Sequence, residues 1–125
     1  KAFKEFTPNS EVHGADIDPT IKVAGSKIFC IDQTNPESFK VIEDQSKKKY
    51  DLIIDDGLHS PDANLFTFDF ALRNLSKNGF VIIEDIKKNT IPIWKTVQFL
   101  LINSQYDGKL ISGKHSYLFI CSHKK

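Results

Sequence analysis

Tyr50-Asp51-Leu52-Ile53-Ile54-Asp55-Asp56-Gly57-Leu58-His59 and, further along, Gly79-Phe80-Val81-Ile82-Ile83-Glu84-Asp85 decide the fold. Each is an apolar run of strand length that stops at adjacent carboxylates, and a helix-like stretch lies between them. This is the pattern of two neighbouring parallel strands joined by a crossover helix. Strands so joined deliver their acids to one edge of the sheet. In open α/β sheets that edge is where ligands bind, so Asp55, Asp56, Glu84 and Asp85 are expected to converge there. Any one of these acids alone could equally cap a helix or solubilise a strand end.

Working outward, the intervening helix opens on Ser60-Pro61-Asp62, a cap residue, a first-turn Pro and a first-turn acid. Leu65, Phe68, Leu72 and Leu75 then mark its buried face, and Asn78-Gly79 supplies a C-cap. Both apolar strands carry hydrophobic residues on successive positions, as expected of strands covered by helices on both faces. Upstream, residues 11–19 read as a strand ended by acids and Pro19, and residues 27–32 as a second strand closing on Asp32. Residues 1–6 read as the end of a helix. Pro36 opens a helix to about Gln45 with Phe39, Ile42 and Val41 inward. Downstream, a helix from about Thr90 to Ser104 places Ile93, Val97, Leu100 and Leu101 inward. A hairpin of Leu110-Ile111 against residues 117–121, turned near Gly113-Lys114, closes the chain.

Alternating strands and helices followed by a hairpin specify a Rossmann-like, doubly wound and mostly parallel α/β sheet with an antiparallel C-terminal edge. Such a fold begins with a strand and a glycine-rich turn, and nothing before Glu11 supplies them. The first strand is therefore missing from residues 1–125, which form a single partial domain. A start at Lys1 and the absence of Met fit a piece of a longer protein.

With 125 residues, 40% hydrophobic and 26% charged, the chain has the composition of an ordinary soluble domain. No apolar run reaches the ~18 residues of a membrane span, and no signal peptide is visible, so the expected compartment is the cytoplasm without a membrane partner. Seventeen Lys and Arg against sixteen Asp and Glu leave a net charge of +1, which argues against nucleic acid as the partner. Cys30 and Cys121 have no metal or redox spacing and read as small buried hydrophobes.

The order of elements and acids resembles the class I methyltransferases that use S-adenosylmethionine. The strings Asp55-Asp56-Gly57-Leu58-His59 and Ile82-Ile83-Glu84-Asp85 resemble those of a Mg²⁺-dependent subgroup that includes the macrolide sugar O-methyltransferases and the cephalosporin hydroxylase family. Residues 4–19 are similar to that group's passage from first helix to second strand. The likeness covers roughly residues 4–86. It implies a Mg²⁺ ion on Asp56, Glu84 and Asp85 and a general base at His59. It also implies S-adenosylmethionine contacts from Asp16 to the ribose, from Asp32 and Gln33 to the adenine, and from Asp55 to the methionine amine. Converging carboxylates repel one another unless a cation neutralises them, and all-oxygen ligation suits Mg²⁺ better than zinc. His59, at the start of the helix capped by Ser60, lies where a helix N-terminus disfavours imidazolium, which suits a base.

These expectations amount to an O-methyltransferase acting on a hydroxyl of a sugar or other small molecule. Two alternatives stand beside it: a degenerate methyltransferase-like nucleotide-binding module, and a metal-dependent hydrolase. Leu58, where the family usually has Ser, motivates the first. The hydrolase leaves Asp16, Asp32 and Gln33 without a task. The acceptor and any homo-oligomer are not specified by the sequence.

Overall fold

The computed structural model describes Glu5 and residues 7–125. Apart from Glu5, the helix expected over residues 1–6 lies outside the described residues. From there the chain runs β1 (Val12–Asp16), β2 (Ser26–Cys30), a 3-10 turn (Pro36–Phe39), α1 (Lys40–Ser46), β3 (Tyr50–Asp55), α2 (Pro61–Asn74) and β4 (Leu75–Ile86). A short 3-10 turn (Lys88–Thr90) leads into α3 (Ile91–Leu100), another (Leu101–Asn103) leaves it, and β5 (Tyr106–Ser112) and β6 (Tyr117–His123) close the chain. No described helix is long and apolar enough to cross a membrane.

The strands form two groups. β1 and β2 pair in parallel, and a separate four-stranded sheet has the order β3-β4-β6-β5. Within it β3 and β4 are parallel, as expected of strands joined by a crossover helix, and β6 is antiparallel to both β4 and β5. The C-terminal hairpin is present as expected, with Leu110 opposite Phe119 and Ile111 opposite Leu118, and its turn is closed by Gly113 N–H donating to Ser116 O at 2.8 Å.

Alternation along the strands sets the core. Val81, Ile83, Phe119 and Cys121 share one face of the sheet and are fully buried beneath Phe68 of α2 and Trp94 of α3. The aromatic rings meet at productive angles: Phe68 is edge-on to Trp94 and Phe119, and Trp94 lies 4.9 Å from Phe119. Burial pushes the Cys121 thiol up to about 12. A second cluster of Phe29, Ile31, Phe39, Ile42 and Phe70 fastens β2 and α1 to the side of α2.

Several expectations are corrected. The other face of β3 and β4 is not covered by a described helix: Leu52 is 43% and Phe80 50% exposed. α2 ends at Asn74 rather than at Asn78-Gly79, because Leu75 turns extended and enters the core as the first residue of β4. Gly79 serves a close approach instead of a cap, since a Cβ there would lie 2.8 Å from Tyr50 O. Of the residues expected inward along α3 and the turn after it, Val97 and Leu101 are, while Ile93 and Leu100 face outward and Trp94 fills the buried stripe. Val41 and Cys30 are also exposed. Residues 36–39 wind as a 3-10 turn before α1, with Asn35 Oδ1 accepting from Glu37 N–H at 3.1 Å.

Candidate active site

β3 ends in a buried carboxylate followed by an exposed one, and the difference organises the site. Asp55 is 4% exposed, and its charge is matched by donors from three directions. Gln33 Nε2 and Gly57 N–H donate to Oδ1 at 2.8 and 3.1 Å, and Asn64 Nδ2, from the second turn of α2, donates to Oδ2 at 2.9 Å. Gln33 is equally committed: its amide also donates to Thr67 Oγ1 at 2.9 Å, and its carbonyl accepts Leu58 N–H at 2.9 Å. Gly57 fits because a Cβ there would lie 2.4 Å from Gln33 Oε1, which these bonds hold in place. Asp55 and Gln33 therefore clamp the loop from below, although both line the adjoining cavity.

The clamp forces the chain through a tight reversal. His59 adopts φ 53°, a left-handed conformation that costs a non-glycine residue roughly 1–2 kcal/mol. Its ring is carried back over the end of the sheet toward β4. There the β4–β6 register breaks between Ile83 and Ile86, and Asp85, at φ 50°, is turned toward the same point. Such bulges re-aim side chains beside active sites.

Asp56, His59 and Asp85 consequently converge, with one ligand atom from each lying within 4.8 Å of the others. His59 Nε2 stands 3.8 Å from Asp56 Oδ1 and 3.9 Å from Asp85 Oδ2. These distances are too long for hydrogen bonds and leave room between the groups. Ser116 Oγ, from the β5–β6 turn, donates to Asp85 Oδ1 at 2.8 Å and leaves Oδ2 facing the histidine. His59 Nδ1 is buried without a hydrogen-bond partner among the described residues. Nε2 is thus the ring atom presented to the two carboxylates. Two carboxylates with an adjacent imidazole fit a divalent cation of the Mg²⁺ type, which commonly takes one or two carboxylates and fills its remaining positions from water and substrate. Glu84 lies outside this group.

Across the cavity from this cluster are Asp16 and Asp32. The cavity has a volume of about 900 Å³ and runs from β1 and the loop after β2 to β3 and the loop after it. Asp32 Oδ1 accepts from the Thr34 hydroxyl and N–H at 2.7 and 2.9 Å, which holds its carboxyl below the usual carboxylate range. Asp16 Oδ1 accepts Asp18 N–H at 2.9 Å. Both acids stand at the carboxyl ends of parallel strands, the expected side of the sheet. The histidine at position 13 is structural: it bridges Glu11 and the Tyr50 hydroxyl at 2.9 and 2.8 Å. Sequence reasoning missed Asn64, Thr67 and Ser116, whose partners lie nine or more residues away in the chain and carry no local signature.

No family model and no curated protein sequence matches the chain. Solved structures do. The MycE methyltransferase of the mycinamycin biosynthetic pathway, in complex with Mg and SAH, superposes on 98% of this chain with a TM-score of 0.75 and 15% identity. The chain spans 39% of MycE's length. The SAH-bound methyltransferase PaMTH1 of Podospora anserina superposes on 99% of the chain and 66% of its own, with a TM-score of 0.58 and 16% identity. An rRNA methylase from Streptococcus thermophilus covers 92% of the chain and 74% of its own, with a TM-score of 0.57 and 12% identity. At these identities the likeness is one of fold: residues 7–125 have the mixed α/β architecture found in methyltransferases.

Proposed function

We propose that the chain is part of an S-adenosylmethionine-dependent O-methyltransferase that acts on a hydroxyl of a small molecule, with a sugar as the favoured acceptor class. The observation that carries this reading is the convergence of Asp56, His59 and Asp85 at the carboxyl end of the parallel strands, beside a cavity whose far rim bears Asp16 and Asp32. MycE, similar in fold, was solved with Mg, SAH and mycinamycin VI, and PaMTH1 with SAH. SAH is what S-adenosylmethionine becomes after giving up its methyl group.

Asp56 and Asp85 would hold the cation, whose chemistry is to polarise the acceptor hydroxyl as a Lewis acid. Glu84, one residue from Asp85, is a weaker candidate for the same ion because it stands outside the convergent group. His59 Nε2 would take the proton of the acceptor hydroxyl, and S-adenosylmethionine, when bound, would supply an electrophilic methyl group. Asp16 and Asp32 have carboxylate oxygens to accept from the ribose and the adenine amine. Asp55 and Gln33 support the rim by fixing the loop that carries Asp56 and His59. Holding the acceptor oxygen and the methyl carbon together supplies a large part of the rate.

The test is methyl transfer by the full-length protein to a panel of sugar and phenolic hydroxyls, with and without Mg²⁺. Removing the cation should abolish turnover. His59→Ala should lower kcat by roughly a hundredfold or more while leaving S-adenosylmethionine affinity unchanged. Full turnover by His59→Ala would remove the base from the mechanism, and failure to bind S-adenosylmethionine would remove the function.

A further inference from the structure

The backbone and a neighbouring hydroxyl together hold the Asp85 carboxylate in one pose, and that pose bears on which cation the site takes. Ile83 stands opposite Phe119 and Ile86 opposite Tyr117, so three steps along β4 answer two along β6. The surplus residue falls at Glu84-Asp85, where a β-bulge bends the strand and re-aims a side chain. Asp85 adopts the left-handed conformation of the bend, φ 50°. Asp is among the few residues that tolerate it, because its short polar side chain can hydrogen-bond nearby.

The bond it makes is to Ser116, the last residue before β6. Ser116 Oγ donates to Asp85 Oδ1 at 2.8 Å. Two features keep the hydroxyl in place. Ile86 and Tyr117, the residues that follow Asp85 and Ser116, are paired in the ladder, and Gly113 N–H donates to Ser116 O at 2.8 Å, closing the turn on which the serine stands. A serine hydroxyl has one proton to give, and here it goes to Oδ1. The other oxygen, Oδ2, lies 3.9 Å from His59 Nε2, the same atom that stands 3.8 Å from Asp56 Oδ1. Asp85 therefore faces the cluster with one oxygen and the turn with the other.

The two common hard cations respond differently to such a carboxylate. Mg²⁺ demands near-octahedral geometry, binds through one or two carboxylates and keeps several waters, whereas Ca²⁺ gathers about six to eight oxygens and readily takes both from one carboxylate. A carboxylate whose second oxygen is held by a hydroxyl is poorly placed to chelate with both. The same bond fixes the rotation of the ligand, and partners of this kind carry roughly ten- to a hundredfold of metal affinity.

We infer that Ser116 is a positioning residue that restricts Asp85 to a single ligand oxygen and so biases the site toward Mg²⁺ over Ca²⁺. The inference rests on the cation reading given above and adds to it the source of its selectivity. Ser116 acts through Asp85, not on the cation.

The experiment is calorimetric titration of Mg²⁺ and, separately, Ca²⁺ into the full-length protein, as wild type, Ser116→Thr and Ser116→Val. Threonine keeps the hydroxyl, and valine has the same shape without it. The wild type and the threonine variant should bind Mg²⁺ more tightly than Ca²⁺. In the valine variant the ratio of Mg²⁺ to Ca²⁺ affinity should fall by about tenfold or more, because Oδ1 is released to chelate the larger ion. Mere slackening of the turn would weaken both cations alike, so an unchanged ratio would overturn the inference while leaving the cation site standing. A wild type that favours Ca²⁺ would overturn it as well. Binding of neither cation by the wild type would overturn the cation reading and the inference together. If the valine variant does not fold, Ser116→Ala removes the same hydroxyl and carries the same prediction.

Discussion

The middle of β4 and its carboxyl end lie a few residues apart and are built on opposite terms. At Val81 and Ile83 the strand is wholly buried, flanked by Phe119 and Cys121 and roofed by Phe68 and Trp94, with backbone in ordinary extended geometry. At Glu84-Asp85 the ladder breaks, Asp85 goes left-handed, and its carboxylate opens toward Asp56 and His59, the latter also left-handed. Among the described residues no lysine or arginine approaches Asp56 or Asp85 within ion-pairing distance; the ionisable side chain that faces both is His59. The core is complementary to itself, and the rim gathers polar groups that do not hydrogen-bond one another. Local strain and like charge persist at the rim because the adjacent core over-determines the backbone that carries them.

The sharpest way to break this contrast is in the core. Phe119→Ala, removing a ring in contact with Trp94 and Phe68, should cost about 3–5 kcal/mol in denaturant unfolding while leaving the cation affinity of the folded fraction unchanged. A parallel loss of affinity would mean that rim and core are one unit. The clamp between them comes next. Gln33→Leu strands Leu58 N–H and takes a donor from buried Asp55, for a loss of about 1–3 kcal/mol together with weaker cation binding as the loop slackens. Stability lost without any change in binding would make the clamp a purely structural device. The smallest effect has the opposite sign. His59→Gly relieves the left-handed strain and should raise the thermal midpoint by the equivalent of about 1 kcal/mol, while abolishing turnover. A lower midpoint would show that the histidine ring stabilises the loop more than its backbone strains it.

The same contrast explains which features were readable in the sequence. The alternation of elements, the crossover that makes β3 and β4 parallel and the closing hairpin follow from local periodicity and chain direction, and these match the structure; the single doubly wound sheet does not, because among the described residues β1 and β2 pair apart from β3-β4-β6-β5. The inward face of α3 was read in part: Val97 and Leu101 hold, but Trp94 takes the place of Ile93 and Leu100 because its ring packs on those of Phe68 and Phe119. Gly79 resembled a cap because its real constraint, the backbone of Tyr50, is distant in sequence. Continuous apolarity in β3 and β4 implied two covered faces, and among the described residues only one has its cover. At the site, Asp56, Asp85 and His59 were legible as a group because they end neighbouring strands. The inward commitment of Asp55 and Gln33 was not, since it depends on Asn64 and Thr67 of α2. Glu84 was grouped with Asp56 and Asp85 by the family resemblance, and the convergent group of the structure contains Asp56, His59 and Asp85.

The central claim is that Asp56 and Asp85, with His59 between them, form a divalent-cation site. Calorimetric titration of Mg²⁺ into the full-length protein tests it most directly, in the wild type and in Asp56→Asn/Asp85→Asn. The account predicts saturable binding at one site in the wild type and none in the double variant. Equal binding by both proteins, or no binding by the wild type, would contradict it.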